Sequence, residues 1–133
     1  MTFILDAYPL IVLLSQQEGC EKVEDLFQGD LQSPKRFLLS MINWGEIYYS
    51  ILRNYGEESA EQSTEIIERL RVEVVPVDLA LTKQAAIYKA GGGLSYADCF
   101  AAALAKRESA TLVTGDPEFK RLEKNKEIKI LWV

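Results

Sequence analysis

An α/β fold, a three-layer α/β/α sandwich around a central parallel sheet, is what this sequence predicts, and three observations predict it. Short apolar or β-branched runs recur five times along the 133 residues. Each run is separated from the next by a segment with helical character. No internal repeat, low-complexity tract or linker divides the chain, so one domain spanning 1–133 is expected. Strands that alternate with helices pair in parallel through right-handed crossovers.

Thr2–Leu5 is a short apolar run ending in Asp6, and it reads as a buried strand. A helix over 8–17 follows, with Pro9 near a first helical position. Gly19 breaks that pattern, and Val23, Leu26 and Phe27 then give helical spacing up to a turn at Gly29-Asp30. Ser33-Pro34 is a second turn. Arg36–Ser40 is a candidate strand leading into a helix over 42–55, which Gly56 stops. The next helix, 57–70, places Ile66, Ile67 and Leu70 on one face. Residues 72–77 are β-branched and predict a third strand. Asp78 can cap a helix to about Ala90, closed by Gly91-Gly92-Gly93. Ser95 opens another to about Arg107. Thr111–Thr114 is a fourth strand, 117–122 a short helix, and 128–132 the last strand.

Composition sets limits on chemistry. With 48% hydrophobic and 26% charged residues the chain is of ordinary globular make-up. The N-terminus has no basic region and Asp6 interrupts its apolar stretch, which argues against a signal peptide. The apolar run from Pro9 to Leu14 is too short to span a bilayer. A soluble, cytoplasmic protein with no membrane partner is expected. Cys20 and Cys99 are the only cysteines and read as small buried hydrophobes in a reducing compartment. The absence of histidine excludes every His-dependent mechanism, and two cysteines alone exclude the common structural zinc sites. Hydrolysis by this chain needs carboxylates, a metal, or both. A formal charge of −5 argues against broad non-specific binding of nucleic acid. The charge is uneven: 106–129 holds seven basic and five acidic residues, leaving that segment +2 and the remainder −7. A phosphate track and a plain solvated surface both fit that segment.

Ligands of open parallel sheets bind beyond the carboxyl ends of the strands. Asp6 directly follows the first strand and Asp116 stands two residues past Thr114, so both should project there. Glu46 and Asp98 lie in helices, within Asn43-Trp44-Gly45-Glu46-Ile47 and Leu94-Ser95-Tyr96-Ala97-Asp98. Each acid also has a structural reading. Ser95-Tyr96-Ala97-Asp98 matches a capping box, Asp116-Pro117 is a helix start, Asp6 could cap the helix after it, and Glu46 could be an exposed acid. Two features favour a shared site. Asp98 precedes Cys99-Phe100-Ala101-Ala102-Ala103-Leu104-Ala105, a small-residue helix apolar nearly all round, and Glu46 lies among Trp44, Ile47, Tyr48 and Tyr49. Acids in such surroundings are seldom buried unless paired. Yet no Lys or Arg falls within three residues of Asp6, Glu46 or Asp98. Grouped acids repel one another, which makes a divalent cation their natural partner, and all-oxygen ligation suits Mg²⁺ or Mn²⁺.

Other readings fare less well. Gly91-Gly92-Gly93 lacks the GxxxxGK[ST] pattern of a P-loop. A haloacid dehalogenase-type phosphatase wants an Asp two residues after the first, where this chain has Tyr8. A receiver-like phosphoacceptor domain, the non-enzyme rival, needs a Lys after a late strand, and none follows Thr114 or Val77 suitably. Tyr8, Tyr48, Tyr49 and Tyr96 read as core or rim aromatics rather than base-stacking platforms.

In order and spacing, Ile4-Leu5-Asp6-Ala7-Tyr8, Asn43-Trp44-Gly45-Glu46, Leu94-Ser95-Tyr96-Ala97-Asp98 and Leu112-Val113-Thr114-Gly115-Asp116-Pro117-Glu118-Phe119 resemble the PIN-domain family over essentially the whole chain. Within it they resemble the VapC-type toxins of prokaryotic toxin–antitoxin pairs. The resemblance implies Asp6, Glu46, Asp98 and Asp116 as catalytic acids, with Asp6, Asp98 and Asp116 on Mg²⁺ (or Mn²⁺), and Thr114 and Asn43 in support. It implies endonucleolytic cleavage of RNA leaving a 5′-phosphate, as a toxin or as a housekeeping nuclease. Many relatives carry Ser or Thr after the first Asp, whereas this chain has Ala7, so a hydroxyl is missing there. A VapB-like antitoxin is the implied partner. Its helix is expected to pack around Leu10, Leu14 and Phe27 and deliver an Arg toward Asp6 and Asp98. A homodimer is expected too, although no sequence feature marks its interface.

Overall fold

Five parallel strands lie in the order β3-β2-β1-β4-β5 in the computed structural model, which describes residues 1–29 and 34–133. They are β1 (Thr2–Leu5), β2 (Arg36–Ser40), β3 (Val72–Val75), β4 (Thr111–Thr114) and β5 (Lys129–Trp132). The helices between them are α1 (Ala7–Leu14), α2 (Cys20–Phe27), α3 (Met41–Tyr55), α4 (Glu57–Arg69), α5 (Leu79–Ala90), α6 (Tyr96–Arg107) and α7 (Lys120–Lys124), with a 3₁₀ turn at Pro117–Phe119 ahead of α7. Among the described residues seven helices cover both faces of the sheet, as the alternation of elements predicts. The turns expected at Gly29-Asp30 and Ser33-Pro34 include positions outside the described residues.

Because strand side chains alternate between faces, the apolar strands feed two cores. Phe3, Leu5, Phe37, Leu39 and Val113 pack with Ala7, Leu10, Ile47, Ile51, Ala60 and Ile67 of α1, α3 and α4. Ile4, Leu38 and Leu112 pack on the other face against α5, α6 and α7. Residues 98–105 of α6 are buried all round. Their small side chains let that helix lie against β1, β2 and β4 while also touching α3 and α5.

Where boundaries differ from expectation, partners explain it. β3 ends at Val75 rather than Val77 because Ser40, the last residue of β2, pairs with Val75. β5 begins at Lys129, opposite Thr111, so Ile128 lies before the ladder. α1 begins a residue early because Asp6 caps it, its side chain accepting from the Ala7 N–H at 2.8 Å. It ends at Leu14, before Gln16 takes a positive φ of 50°. Gly56, at φ 93°, both closes α3 and opens α4, a backbone angle that glycine adopts without strain. Ile66 stands 40% exposed while Ile67 is buried, so the two do not share the inward face of α4. Cys99 is buried and Cys20 only partly so; both are free thiols.

Candidate active site

β1 is the strand at which the sheet order reverses, with β2 on one side and β4 on the other. Such a switch point opens a crevice at the carboxyl ends of the strands. There a cleft of about 550 Å³ is lined by Asp6, Glu46, Asp98, Asp116 and Glu118, with Ala7, Tyr8, Ile11, Val12, Gln17, Ser95, Gly115 and Pro117. No Lys or Arg is among the described residues that line it. All four acids predicted from sequence therefore meet in one place, and the lysine of a receiver-like centre is missing from it.

Each acid is delivered by a different element. Asp6 follows β1 and is 2% exposed; its carboxylate accepts from Ala7 N–H at 2.8 Å and from the Thr114 hydroxyl at 2.9 Å. Thr114 ends β4, fully buried, and its Oγ1 in turn accepts from the Asp116 N–H at 3.1 Å. One hydroxyl thus ties the first acid to the turn carrying the fourth. Asp116 is half-buried and caps the 3₁₀ turn, accepting from Glu118 N–H at 2.9 Å. Asp98 sits in the first turn of α6, where its own N–H donates to Ser95 Oγ at 3.2 Å. That cap is formed as the sequence predicts, and the Asp98 side chain nevertheless lines the cleft.

Glu46 is held by Asn43, which is fully buried on the first turn of α3. Asn43 Nδ2 donates to Glu46 Oε1 at 3.3 Å and to the Ala97 carbonyl at 3.1 Å, while its Oδ1 accepts from Ser40 Oγ at 2.6 Å. The amide thereby fixes α3 against α6 one residue before Asp98. Asn43 and Thr114 thus each hydrogen-bond one of the acids, Glu46 and Asp6.

Sequence reading missed Glu118. Its carboxylate joins those of Asp98 and Asp116 in a set whose oxygens lie within 4.8 Å of one another. Asp6 and Glu46 line the same cleft outside that compact trio. An acid two residues past Asp116 across a proline was the available signal, but it looks the same as an ordinary acid at a helix start.

Burial and crowding raise the acids. Asp6 is pushed up to about 8, chiefly by burial and then by the Asp98 charge, against the lowering effect of its hydrogen bonds from Thr114 and Ala7. Asp98 is pushed up to about 6 by burial first, with the Asp116, Glu46 and Glu118 charges adding and Ser95 opposing. Burial likewise raises Glu46, with Asn43 opposing and Asp116 adding. An all-oxygen donor set with mutual repulsion and no neighbouring side-chain cation fits a hard divalent ion.

A larger open cavity of about 710 Å³ lies near the opposite ends of the strands, between α6 and β5. Its lysines and glutamates are mixed, and Lys106 is already paired with Glu127. No helix among the described residues is long and apolar enough to cross a membrane.

The fold and this centre define a class: parallel α/β domains with a cation-seeking carboxylate cluster at the switch point of the sheet. The family model of the PIN domain matches residues 3–125, and the chain belongs to that family. No curated protein sequence matches it. Its fold is similar to VapBC2 from Rickettsia felis, solved bound to a DNA fragment from its promoter (TM-score 0.73, 19% identity, 98% of each chain covered). It is also similar to VapC20 from Mycobacterium tuberculosis, a sarcin-ricin loop cleaving toxin (TM-score 0.69, 16% identity, 83% of this chain and 86% of that one). A toxin–antitoxin complex from Klebsiella pneumoniae gives a TM-score of 0.68 at 17% identity, over 96% of this chain and 94% of the other.

Proposed function

We propose that the chain is a divalent-cation-dependent endoribonuclease and the toxin half of a toxin–antitoxin pair. The observation that carries this reading is the convergence of five carboxylates on one cleft, with no Lys or Arg among the described residues that line it. Membership of the PIN-domain family supports it, as do the folds of the toxins named above.

Asp98, Asp116 and Glu118 would hold Mg²⁺ or Mn²⁺, with Asp6 beside Asp98. When bound, the ion screens the charge of a phosphodiester and acidifies nearby water. Asp6 is kept in place by the Thr114 hydroxyl and the Ala7 N–H, so its charge needs no reorientation. Glu46 stands outside the compact trio and is oriented by Asn43, which suits its carboxylate to accept a proton from the attacking water. The product would carry a 5′-phosphate.

The test combines cleavage with stability. RNA should be cut with Mg²⁺ or Mn²⁺ and not in EDTA. Asp98→Asn should abolish cutting while leaving the fold equally or more stable, because a repelling charge is gone. Undiminished cleavage in EDTA, or full activity of Asp98→Asn, overturns the assignment.

The partner would be an antitoxin whose helix seats on the chain and presents an Arg to the acids in place of the cation. The expected contact Leu10 needs correction, because it is wholly buried in the core; Phe27 is half-buried and packs on Phe37 at 4.5 Å. Leu14 remains, in a groove of about 220 Å³ with Ile51, Tyr55 and Ile66. Co-expression with the neighbouring reading frame tests this: a toxin is harmful alone and silent in the complex. An active nuclease that is harmless alone points to the housekeeping role.

A further inference from the structure

We infer that Tyr8 is a stacking platform for a nucleobase flanking the scissile phosphate of single-stranded RNA, an assignment that rests on the nuclease reading above. The acids that would carry the chemistry create a binding problem. Five carboxylates line the cleft and no Lys or Arg does so among the described residues, so beyond the one phosphate that a bound cation would screen, the strand beside the cut gains from contacts that carry no charge. Stacking of a base on an aromatic ring is such a contact, and single-stranded RNA offers its bases freely.

Tyr8 is the one aromatic among the described residues lining the cleft. It stands two residues after Asp6 and is 43% exposed, although its neighbours Ala7 and Pro9 are buried. It stands at the rim of the cleft, one of the two places that the sequence suggests for it, and its ring lies against the backbone of Gly115, the residue between Thr114 and Asp116. A Cβ placed on Gly115 would fall 2.3 Å from Tyr8 Cε1 and 2.9 Å from Cδ1, closer than atoms approach. Gly115 is thus glycine to admit the ring, and the ring is braced by the turn that carries Asp116. A braced, half-exposed ring loses little freedom when a base covers it. The other exposed tyrosines are placed differently: Tyr96 tilts on Phe100 at 5.0 Å, Tyr49 lies under Arg53, and Tyr55 lines the groove beyond α1.

The experiment uses the full chain, Mg²⁺ and a pool of short single-stranded RNAs of randomised sequence, with cut ends read by sequencing. One preferred oligonucleotide is then remade with an abasic nucleotide at each position flanking the cut. Tyr8→Leu should raise KM for the intact oligonucleotide about 5- to 100-fold, the range for loss of one stacked base. Its kcat should change far less, and Tyr8→Phe should match the parent. Removing the stacked base should harm the parent as much as Tyr8→Leu does, and harm Tyr8→Leu no further. Gly115→Ala, shown by its melting to be folded, should copy the KM defect with Tyr8 intact. Tyr8→Leu with a parental KM, or a defect that adds in full to that of every abasic position, overturns the proposal. A parent that cuts nothing in the pool with Mg²⁺ or Mn²⁺ overturns the nuclease reading, and the stacking assignment with it.

Discussion

Thr114 is the residue on which the site turns, although it carries no charge. Its hydroxyl donates to Asp6 and accepts from the Asp116 N–H, so two acids share one anchor. Thr114→Val keeps the β-branched shape and removes the anchor. The buried Asp6 oxygen then loses a donor, a loss of about 1–3 kcal/mol in stability. Ion affinity should fall about 10- to 100-fold, as it does when groups that orient ligands are lost. That hydrogen bond also lowers Asp6, so the variant's activity should need a higher pH than the parent's. Calorimetric titration and a pH–rate profile measure both, and a profile that stays put would show that Thr114 does not act through Asp6. Thr114 entered as a supporting residue only through the family resemblance, since nothing local in the strand end tells that its hydroxyl reaches Asp6 from across the sheet. The place of Glu118 beside Asp98 and Asp116 was not legible either, since nothing local separates a clustered acid from one at an ordinary turn. Nor was the seat of the Tyr8 ring, because periodicity reports apolar neighbours and says nothing about a ring resting on Gly115.

At the scale of elements, strands and helices were readable because apolar runs, Ser and Asp caps and glycine stops agree locally. Their exact ends depended on ladder partners elsewhere in the chain, as β3 and β5 illustrate. The joint between α3 and α6 was beyond reach of local pattern. It rests on Asn43, fifty-four positions from the Ala97 carbonyl it holds. Asn43→Ala strips the buried Ser40 hydroxyl, the Ala97 carbonyl and the half-buried Glu46 of a partner together. Stability should drop by about 1–3 kcal/mol, and Glu46 should lose its orientation. Thermal unfolding and steady-state cleavage together check this, the expected pattern being a lowered Tm with a kcat that falls more than KM changes. A variant of parental Tm and kcat would mean that the two helices are held by packing alone.

For the molecule as a whole, two cores supply stability and the switch point between them spends some of it. Asp6 and Asp98 are raised to about 8 and about 6 from an ordinary value of 3.8. Across that window the folded chain holds protons that an unfolded chain has already released. The contribution of these groups to stability is therefore fullest below the ordinary carboxylate range and is lost as pH climbs toward about 8. A divalent ion bound as proposed would reverse the sense of this dependence, because it would bind the ionised acids and compete with their protons. At a hundredfold excess over Kd an ion adds about 2.7 kcal/mol by mass action, worth roughly 10 °C in a domain of this size. Melting curves in EDTA and in saturating Mg²⁺ should thus separate progressively with rising pH, the EDTA series falling and the Mg²⁺ series holding. The Asp6→Asn, Asp98→Asn double variant should show a shallower fall in EDTA and little response to the ion. An EDTA series as steep in the double variant as in the parent would place the pH dependence elsewhere on the surface. A gap between the curves that does not widen with pH would mean that the ion is not displacing protons from these acids.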